Sequence, residues 1–532
     1  MQIWNGWGDE AVQMSLPPAG MRLLRDRIGA GTAQEDFPLE KMIARVPDSS
    51  LPHHFLIATD AKDRIVHSHG QSLPDWIALR KGSLKHFPDG VALPTTAEEV
   101  QTLLGFARKH DVIIIPYGGG TSVVGHLDVP EVNRPVLSLS LERLNRMISI
   151  DPYSRLATFE AGVRGPDLEA QLRTNGFTLG HYPQSFEYST LGGWVVTRSS
   201  GQQSAYYGRI ETLFAGGEIH TPQGIIKCPP FPASAAGPDL RQLVLGSEGR
   251  LGILVNAIVK VSPIPGREDV WALFFPSWGD AVEAVRSLAV ADIRYSMIRL
   301  SNPTETMTTL ALAGREKAVN LLGKYLRLRN ISDEDGCMCL AGFIGSGEQI
   351  RAARRLTFAI LKKNGGVSLG RPIGEAWKKN RFRAPYLRNT FWNMGYAIDT
   401  VETAVTWDKV TSTMKALEKA IAGGLDRWKE EVHVFSHLSH VYPTGSSIYT
   451  TFIFRIAGGA EEMLARWKAL KASASLEIIR AGGTISHHHG IGLDHRPYLE
   501  VEKGTVGMEI LKHLFVHMDP ERRMNPGKLV EG

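Results

Sequence analysis

The sequence predicts an α+β protein built from two domains, on three observations. The chain has 532 residues, too many for a single hydrophobic core when a domain takes roughly 100–200 residues. Strand and helix signals alternate from about residue 90 up to a block closed by Pro263, Pro265 and Gly266. Beyond it the texture changes to strand-like pieces mixed with long amphipathic helical stretches. The expected division is an N-terminal segment 1–85, a first domain 86–266, a second α+β domain 267–480 and a C-terminal segment 481–532.

Each element has a local reason. Residues 1–85 mix proline, histidine and charge without a long periodic run. Thr96 with Glu99 reads as a capping box opening a helix whose apolar residues Val100, Leu103, Leu104 and Ala107 fall at i, i+3, i+4 and i+7. A strand, Val112 to Ile115, follows and runs straight into Pro116-Tyr117-Gly118-Gly119-Gly120-Thr121-Ser122-Val123. Gly165-Pro166-Asp167 starts a second helix, in which Leu168 and Leu172 share a face and which Gly176 can end. Leu251 to Val261 reads as a strand. In the second half, Val270 to Phe275 and Ile448 to Ile456 are strand-like, whereas 409–423 and 460–480 carry helical periodicity. The last segment holds Gly482-Gly483, then His487-His488-His489-Gly490-Ile491-Gly492, and closes with Asn525-Pro526-Gly527-Lys528.

Composition excludes several classes. With 43% hydrophobic and 22% charged residues the chain buries a sizeable core. Lys plus Arg (60) exceeds Asp plus Glu (55) by 5, too weak and too spread a basic balance for a nucleic-acid binder, so no nucleic-acid partner is expected. Met1 to Gly8 lacks the basic and apolar regions of a signal peptide, and no run of about 18 apolar residues occurs, which reads as a cytoplasmic protein. Three cysteines do not make a disulfide framework, and Cys337 with Cys339 is at most half a zinc site, so both read as buried small hydrophobes.

Three glycine-rich segments carry the first functional signal: Gly118-Gly119-Gly120-Thr121-Ser122, Leu191-Gly192-Gly193-Trp194 and Gly246-Ser247-Glu248-Gly249-Arg250-Leu251-Gly252. None matches the Rossmann or Walker spacing. Successive backbone N–H groups in such loops, joined by the Thr121 and Ser122 hydroxyls, form a concavity that binds a pyrophosphate without a lysine, so a bound dinucleotide such as a flavin fits. With Ser189-Thr190 ahead of the second glycine pair, the three segments in this order closely resemble the FAD-binding domain of the vanillyl-alcohol oxidase superfamily. The resemblance implies an FAD-binding domain covered by an α+β cap domain over the flavin, with the end of the chain returning to the cofactor domain. It places the cofactor against Pro116, Tyr117, Gly118, Gly119, Gly120, Thr121, Ser122 and Val123, against Pro183, Gln184, Ser185, Ser189, Thr190, Gly192 and Gly193, against Val196, Thr197, Arg198 and Ser199, and against Glu248, Gly249, Gly252 and Ile253. Some members bond the flavin to a histidine directly after the glycine run. Here that position is Thr121 and His126 reads as a loop residue, so the FAD is expected to be non-covalent.

Within that superfamily, Ser486-His487-His488-His489-Gly490 replaces the Gly-Glu-His-Gly of the 2-hydroxy-acid dehydrogenases. The triple histidine, Trp4-Asn5-Gly6-Trp7-Gly8, Trp194-Val195-Val196-Thr197-Arg198 and Ser447-Ile448-Tyr449 resemble the alkyl-dihydroxyacetone-phosphate synthases over nearly the whole chain. The resemblance implies exchange of the acyl chain of a phosphorylated lipid for a long-chain fatty alcohol, with FAD working without net redox change. It also implies site residues: Tyr449 as the active-site tyrosine, Arg388 as the ligand of the substrate phosphate, Arg299 as a second essential arginine, His181 beside the flavin loop, and His487, His488 and His489 as required histidines. The chain ends Val530-Glu531-Gly532, without the Ser-Lys-Leu of peroxisomal members. The Asn525-Pro526-Gly527-Lys528 ending looks more like the hydroxy-acid dehydrogenases and keeps an FAD-dependent oxidase or dehydrogenase of a 2-hydroxy acid or alcohol as the alternative.

The residue chemistry fits the synthase. Tyr449, with an ordinary pKa of about 10, needs neighbouring cations or hydrogen bonds to act as a base, and the histidines could provide them. On an extended segment His487 and His489 face one side and His488 the other. No metal is expected, because adjacent histidines do not readily converge on one ion. Arg388 ends the basic run Lys378-Lys379-Asn380-Arg381-Phe382-Arg383-Ala384-Pro385-Tyr386-Leu387-Arg388. A guanidinium matches a phosphate bidentately, and the remaining cations of the run suit anionic headgroups, so peripheral membrane contact is expected, together with a homodimer.

Overall fold

The computed structural model describes residues 2–531. Three sheets organise the chain. In the first, the strands Ile57–Ala58, Gly90–Ala92, Val136–Ser140 and Ile113–Tyr117 lie in that order, the last three mutually parallel. The helix Ala97–His110 packs Val100, Leu103, Leu104 and Ala107 into the core below, which is the face read from its periodicity. Its cap differs in one bond: Thr96 accepts the Glu99 N–H, but the Glu99 carboxylate takes the N–H of Thr95 at 2.6 Å instead of that of Thr96, so the reciprocal box is shifted by one residue.

The second sheet is antiparallel, with Met147–Asp151, Leu156–Glu160, Ile253–Lys260, Phe214–Thr221 and Gly224–Cys228 in spatial order. It shares one core with the first sheet, in which Leu139, Phe159, Leu168, Leu172, Trp194 and Val255 meet. The end of the chain closes against this body, since Met524 bridges Ile114 and the Asn525 N–H donates to the Ile114 carbonyl at 2.9 Å.

The third sheet is an antiparallel platform built from Val367–Gly370, Arg267–Phe275, Cys337–Gly345, Met297–Ser301, His433–Leu438, Gly445–Arg455 and Tyr396–Thr406, with Val441–Tyr442 paired to Gly445–Arg455. Helices Trp278–Ala289, Gly347–Lys363, Trp407–Ala422 and Ala460–Ala481 supply its second layer. The strand period of two then divides labour. Along Gly445–Arg455, Ile448, Phe452 and Phe454 join the helix-side core, while Tyr449, Thr451 and Ile453 face a cavity on the other side. Met297–Ser301 does the same, with Ile298 and Leu300 in the core and Met297 and Arg299 on the cavity. Cys337 and Cys339 are buried in this sheet, where loss of water pushes both thiols up to about 12. No helix among the described residues is long and apolar enough to cross a membrane.

Candidate functional site

A cavity of about 530 Å³ lies between the glycine loops and the face of the platform turned away from its helices, within the usual range for a small-molecule site. Its floor is the segment from Pro116 to Val123, joined by Pro183, Gln184, Ser185, Ser189, Thr190, Gly192, Gly193, Val196, Thr197, Ser199, Glu248, Gly249 and Gly252. The glycines are sterically required. A Cβ on Gly119 would stand 1.8 Å from the Tyr188 carbonyl oxygen, and one on Gly118 2.6 Å from Thr190 Oγ1. Gly120 has φ +67°, a conformation that glycine adopts without cost. Among the described residues, the backbone N–H groups of Gly118 through Val123 find no partner in the protein, so the loop presents a row of free donors to the cavity.

The loops are locked to one another. His126 lies in a loop, as read, and is buried in the wall: Nδ1 lies 2.7 Å from Ser122 Oγ and Nε2 3.1 Å from Glu248 Oε2. Glu248 also accepts the N–H groups of Ile491 and Gly492, and Asn525 Nδ2 donates to the carbonyls of His126 and Glu248. The Asn-Pro-Gly-Lys ending is therefore a clamp on this floor, with Lys528 Nζ donating to the Asp128 carbonyl at 2.7 Å.

Opposite the floor stands the histidine cluster. Its backbone is not extended: the N–H groups of His487, His488 and His489 all converge on the carboxylate of Glu402, at 2.7, 3.0 and 3.0 Å, with the Ser486 hydroxyl at 2.8 Å. Glu402 is fully buried; burial alone would raise its pKa, but the imidazoles of His488 and His489 hold it well below the usual range. The expected alternation of faces therefore fails, because three successive donors curl around one acceptor. His488 and His489 reach the cavity, whereas His487 packs behind them. Arg209 Nη1 lies 2.6 Å from His487 Nε2 and the Tyr442 hydroxyl 2.7 Å from the same atom. Arginine only donates, so the His487 proton resides on Nδ1, which meets His488 Nδ1 at 3.0 Å. Adjacent histidines do converge here, contrary to the expectation from sequence: His440, His487 and His488 each place a nitrogen within 4.8 Å of the others. The Arg209 cation against His487 Nε2 opposes a second cation at that spot.

Tyr449 pairs across the sheet with Glu402 on one side and His437 on the other. Its ring stacks on His488 at 5.8 Å and on His437 at 5.0 Å, meets His489 edge-on, and its hydroxyl donates to Thr400 Oγ1 at 3.2 Å. Burial pushes the phenol up to about 12, the reverse of the assistance expected from nearby cations. Burial likewise depresses the imidazoles of His440 and His487, and takes that of His489 down to about 3.

Arg299 lines the cavity in a fixed pose, donating to Glu305 at 2.7 Å and held 2.9 Å from His437 Nε2. Arg388 lines it as well, donating to the Gln71 carbonyl at 2.8 Å with its guanidinium 4.4 Å over the Trp76 ring. Besides His487, three further expected residues lie outside the wall. His181 is buried behind it, with Nε2 2.7 Å from Ser199 Oγ and its ring against Trp194, so it positions Ser199. Arg198 turns the chain after the helix Leu191–Thr197 with φ +53°, and Ile253 points into the core. Glu402, Arg209, His437 and His440 escape sequence reading because each lies far along the chain from the residue it serves, and Glu305 because it sits inside an ordinary helix pattern six residues after Arg299.

A cavity that combines free backbone donors, a glycine floor and a polar cluster fits FAD, and the floor residues named above would hold it. A sequence family described as "FAD binding domain" matches residues 88–228, and one described as "FAD linked oxidases, C-terminal domain" matches residues 264–529. The chain is 32% identical to an alkyldihydroxyacetonephosphate synthase of Caenorhabditis elegans over 99% of this chain and 95% of that one. It is 30% identical to the Dictyostelium discoideum protein of the same name over 99% and 93%. A solved structure of an alkyldihydroxyacetonephosphate synthase superposes with a TM-score of 0.83 at 28% identity, covering 99% of both chains. A p-cresol methylhydroxylase shares the fold at 14% identity with a TM-score of 0.67. The chain thus belongs to the alkyldihydroxyacetonephosphate synthase family of FAD-linked oxidases.

Proposed function

We propose that this protein is an FAD-dependent alkyl-dihydroxyacetone-phosphate synthase, exchanging the acyl chain of acyl-dihydroxyacetone phosphate for a long-chain alcohol. The observation that carries the reading is the convergence of His488, His489, Tyr449, Arg299 and Arg388 on one cavity above the glycine floor. In the exchange the ester oxygen leaves its carbon with the acyl chain as a carboxylate, and the alcohol oxygen bonds to that same carbon. FAD, which the glycine floor would hold non-covalently, would supply in its reduced form a nucleophile that leaves no net oxidation.

The chain's own residues do the rest. Arg388 is a cation that no carboxylate neutralises at hydrogen-bonding distance, and it is free to grip the phosphate bidentately. Arg299, already paired with Glu305, adds positive potential without being free to move. The phenol of Tyr449 is protonated at neutral pH and serves as donor, while the neutral imidazole of His489 beside it accepts the α-proton. The buried Glu402 charge beneath them stabilises one proton on the cluster. Met297, Leu312, Phe391, Phe435 and Ile453 give the far end of the cavity an apolar wall suited to an alkyl chain. In this reading residues 86–266 and 481–532 hold the cofactor and 267–480 cover it, supported by their separate cores. Exposed Lys379 and Arg383 support peripheral contact with an anionic membrane surface, whereas Lys378 and Arg381 are tied to Glu375 and Glu268.

The test is anaerobic incubation of the holoenzyme with palmitoyl-dihydroxyacetone phosphate and labelled hexadecanol, read by mass spectrometry. Alkyl product without lasting flavin bleaching is expected. Bleaching by 2-hydroxy acids with no ether product overturns the reading.

A further inference from the structure

The segment Trp4-Asn5-Gly6-Trp7-Gly8 has no role in the site as described, yet the fold brings it there. Residues 2–9 form a tight loop, closed by the Gln2–Asp9 bridge and the Ile3 N–H to Gly8 carbonyl bond at 2.9 Å. The loop is held against the helix Leu387–Asn393 that carries Arg388. Asn389, next to Arg388, grips Trp7 from both sides: its Oδ1 accepts the Trp7 N–H at 3.1 Å and its Nδ2 donates to the Trp7 carbonyl at 2.8 Å. Arg80 ties the same two parts together, donating to the Asn5 carbonyl at 2.7 Å and to Asn389 Oδ1 at 3.2 Å. Gln71 completes the link, because its side chain donates to the Gly6 carbonyl while its own carbonyl accepts from Arg388.

The glycines of the segment make this approach possible. A Cβ on Gly6 would come 2.4 Å from Asn389 Oδ1, and one on Gly8 would strike the Tyr386 ring at 2.3 Å. The result is a placed indole. Trp7 is 5% exposed, it lines the cavity together with Arg388, and its Nε1–H is buried without a partner in the protein. A buried donor left unpaired is costly, and a ligand filling the cavity can supply the missing acceptor.

We propose that Trp7 is a ligand-binding residue, donating its indole N–H to an oxygen of the phosphorylated head gripped by Arg388, and that Asn389 is the residue positioning it. The inference rests on the phosphate role given to Arg388 above.

Binding of dihydroxyacetone phosphate to the oxidised holoenzyme, followed by the perturbation of the flavin absorbance, tests it without turnover. Trp7→Phe keeps the ring and removes the N–H; its Kd should rise roughly tenfold with one FAD still bound per chain. Asn389→Ala leaves the indole intact and releases its backbone, and should raise Kd by at least as much. An unchanged Kd in both variants overturns the proposal and leaves the Arg388 reading standing. Loss of FAD from a folded Trp7→Phe overturns the assignment to the substrate, because the donor then serves the cofactor. A wild-type holoenzyme that takes no phosphorylated probe overturns the phosphate reading of Arg388 and this proposal with it.

Discussion

The carboxylate of Glu402 accepts the backbone N–H of His487 at 2.7 Å, and the same two oxygens take the next two N–H groups in the chain. A single buried anion thereby shapes the loop that presents His488 and His489, on the strand that pairs with Tyr449. Glu402→Gln keeps the volume but replaces one oxygen with a donor that faces other donors. Turnover should fall by at least 100-fold, and stability by about 1.5–3 kcal/mol, the worth of a charged hydrogen-bond acceptor. Thermal midpoint and activity measured on one preparation check both; a fully active variant sinks the positioning role.

Tyr449→Phe removes the hydroxyl and keeps the stacked ring. The FAD spectrum should stay that of the parent, and ether formation should drop by roughly 10²–10⁴, the usual span for a lost proton-transfer group. Near-normal turnover would show that the phenol is packing alone.

Gly119→Ala introduces a Cβ 1.8 Å from a backbone carbonyl, which has no rotamer to move out of the way. The floor must shift, and the purified variant should lose its yellow colour. Flavin absorbance per chain measures this; stoichiometric FAD would show that the loop does not hold the cofactor.

Replacing Arg388 by lysine retains a charge but loses the planar fork over Trp76. KM for the phosphorylated substrate should rise about tenfold or more, with FAD content unchanged. An unaltered KM would move the phosphate to another cation.

Stability should fall as pH drops from 6.5 towards 4. Burial holds His181 and His489 at about 3 and His433 and His495 at about 4, so in this window the unfolded chain takes up four protons that the folded chain refuses. Burial raises Asp128 and Asp494 to about 7, which works in the opposite sense for two protons. Among these six groups the balance of two protons gives a loss of about 3 kcal/mol per pH unit, and the depressed imidazoles of His440 and His487 add to it in the same sense. Thermal midpoints at pH 7, 6 and 5 check the sign, and a midpoint that rises on acidification contradicts it.

Much of this molecule is local, and local features are legible. The helix Ala97–His110, with its Thr96 cap, the strand feeding the glycine run and the helices Trp407–Ala422 and Ala460–Ala481 follow from periodicity, because burial of one face repeats every 3.6 or two residues. The glycine segments announce a cradle because only glycine permits such close backbone approach. Residue spacing did not reveal the conformation around the histidines. The alternation expected of an extended segment gives way because Glu402, 85 residues earlier, offers a stronger arrangement for three N–H groups than solvent does. His181 was drawn to the site by resemblance, yet its ring lies behind Ser199. Local sequence dictates the elements and the glycine floor and supplies the candidate site side chains. Only the tertiary structure decided which of them share a cavity, what charge each carries there, and that Trp7 stands beside Arg388. Those properties depend on burial and on partners hundreds of residues apart, which no local pattern encodes.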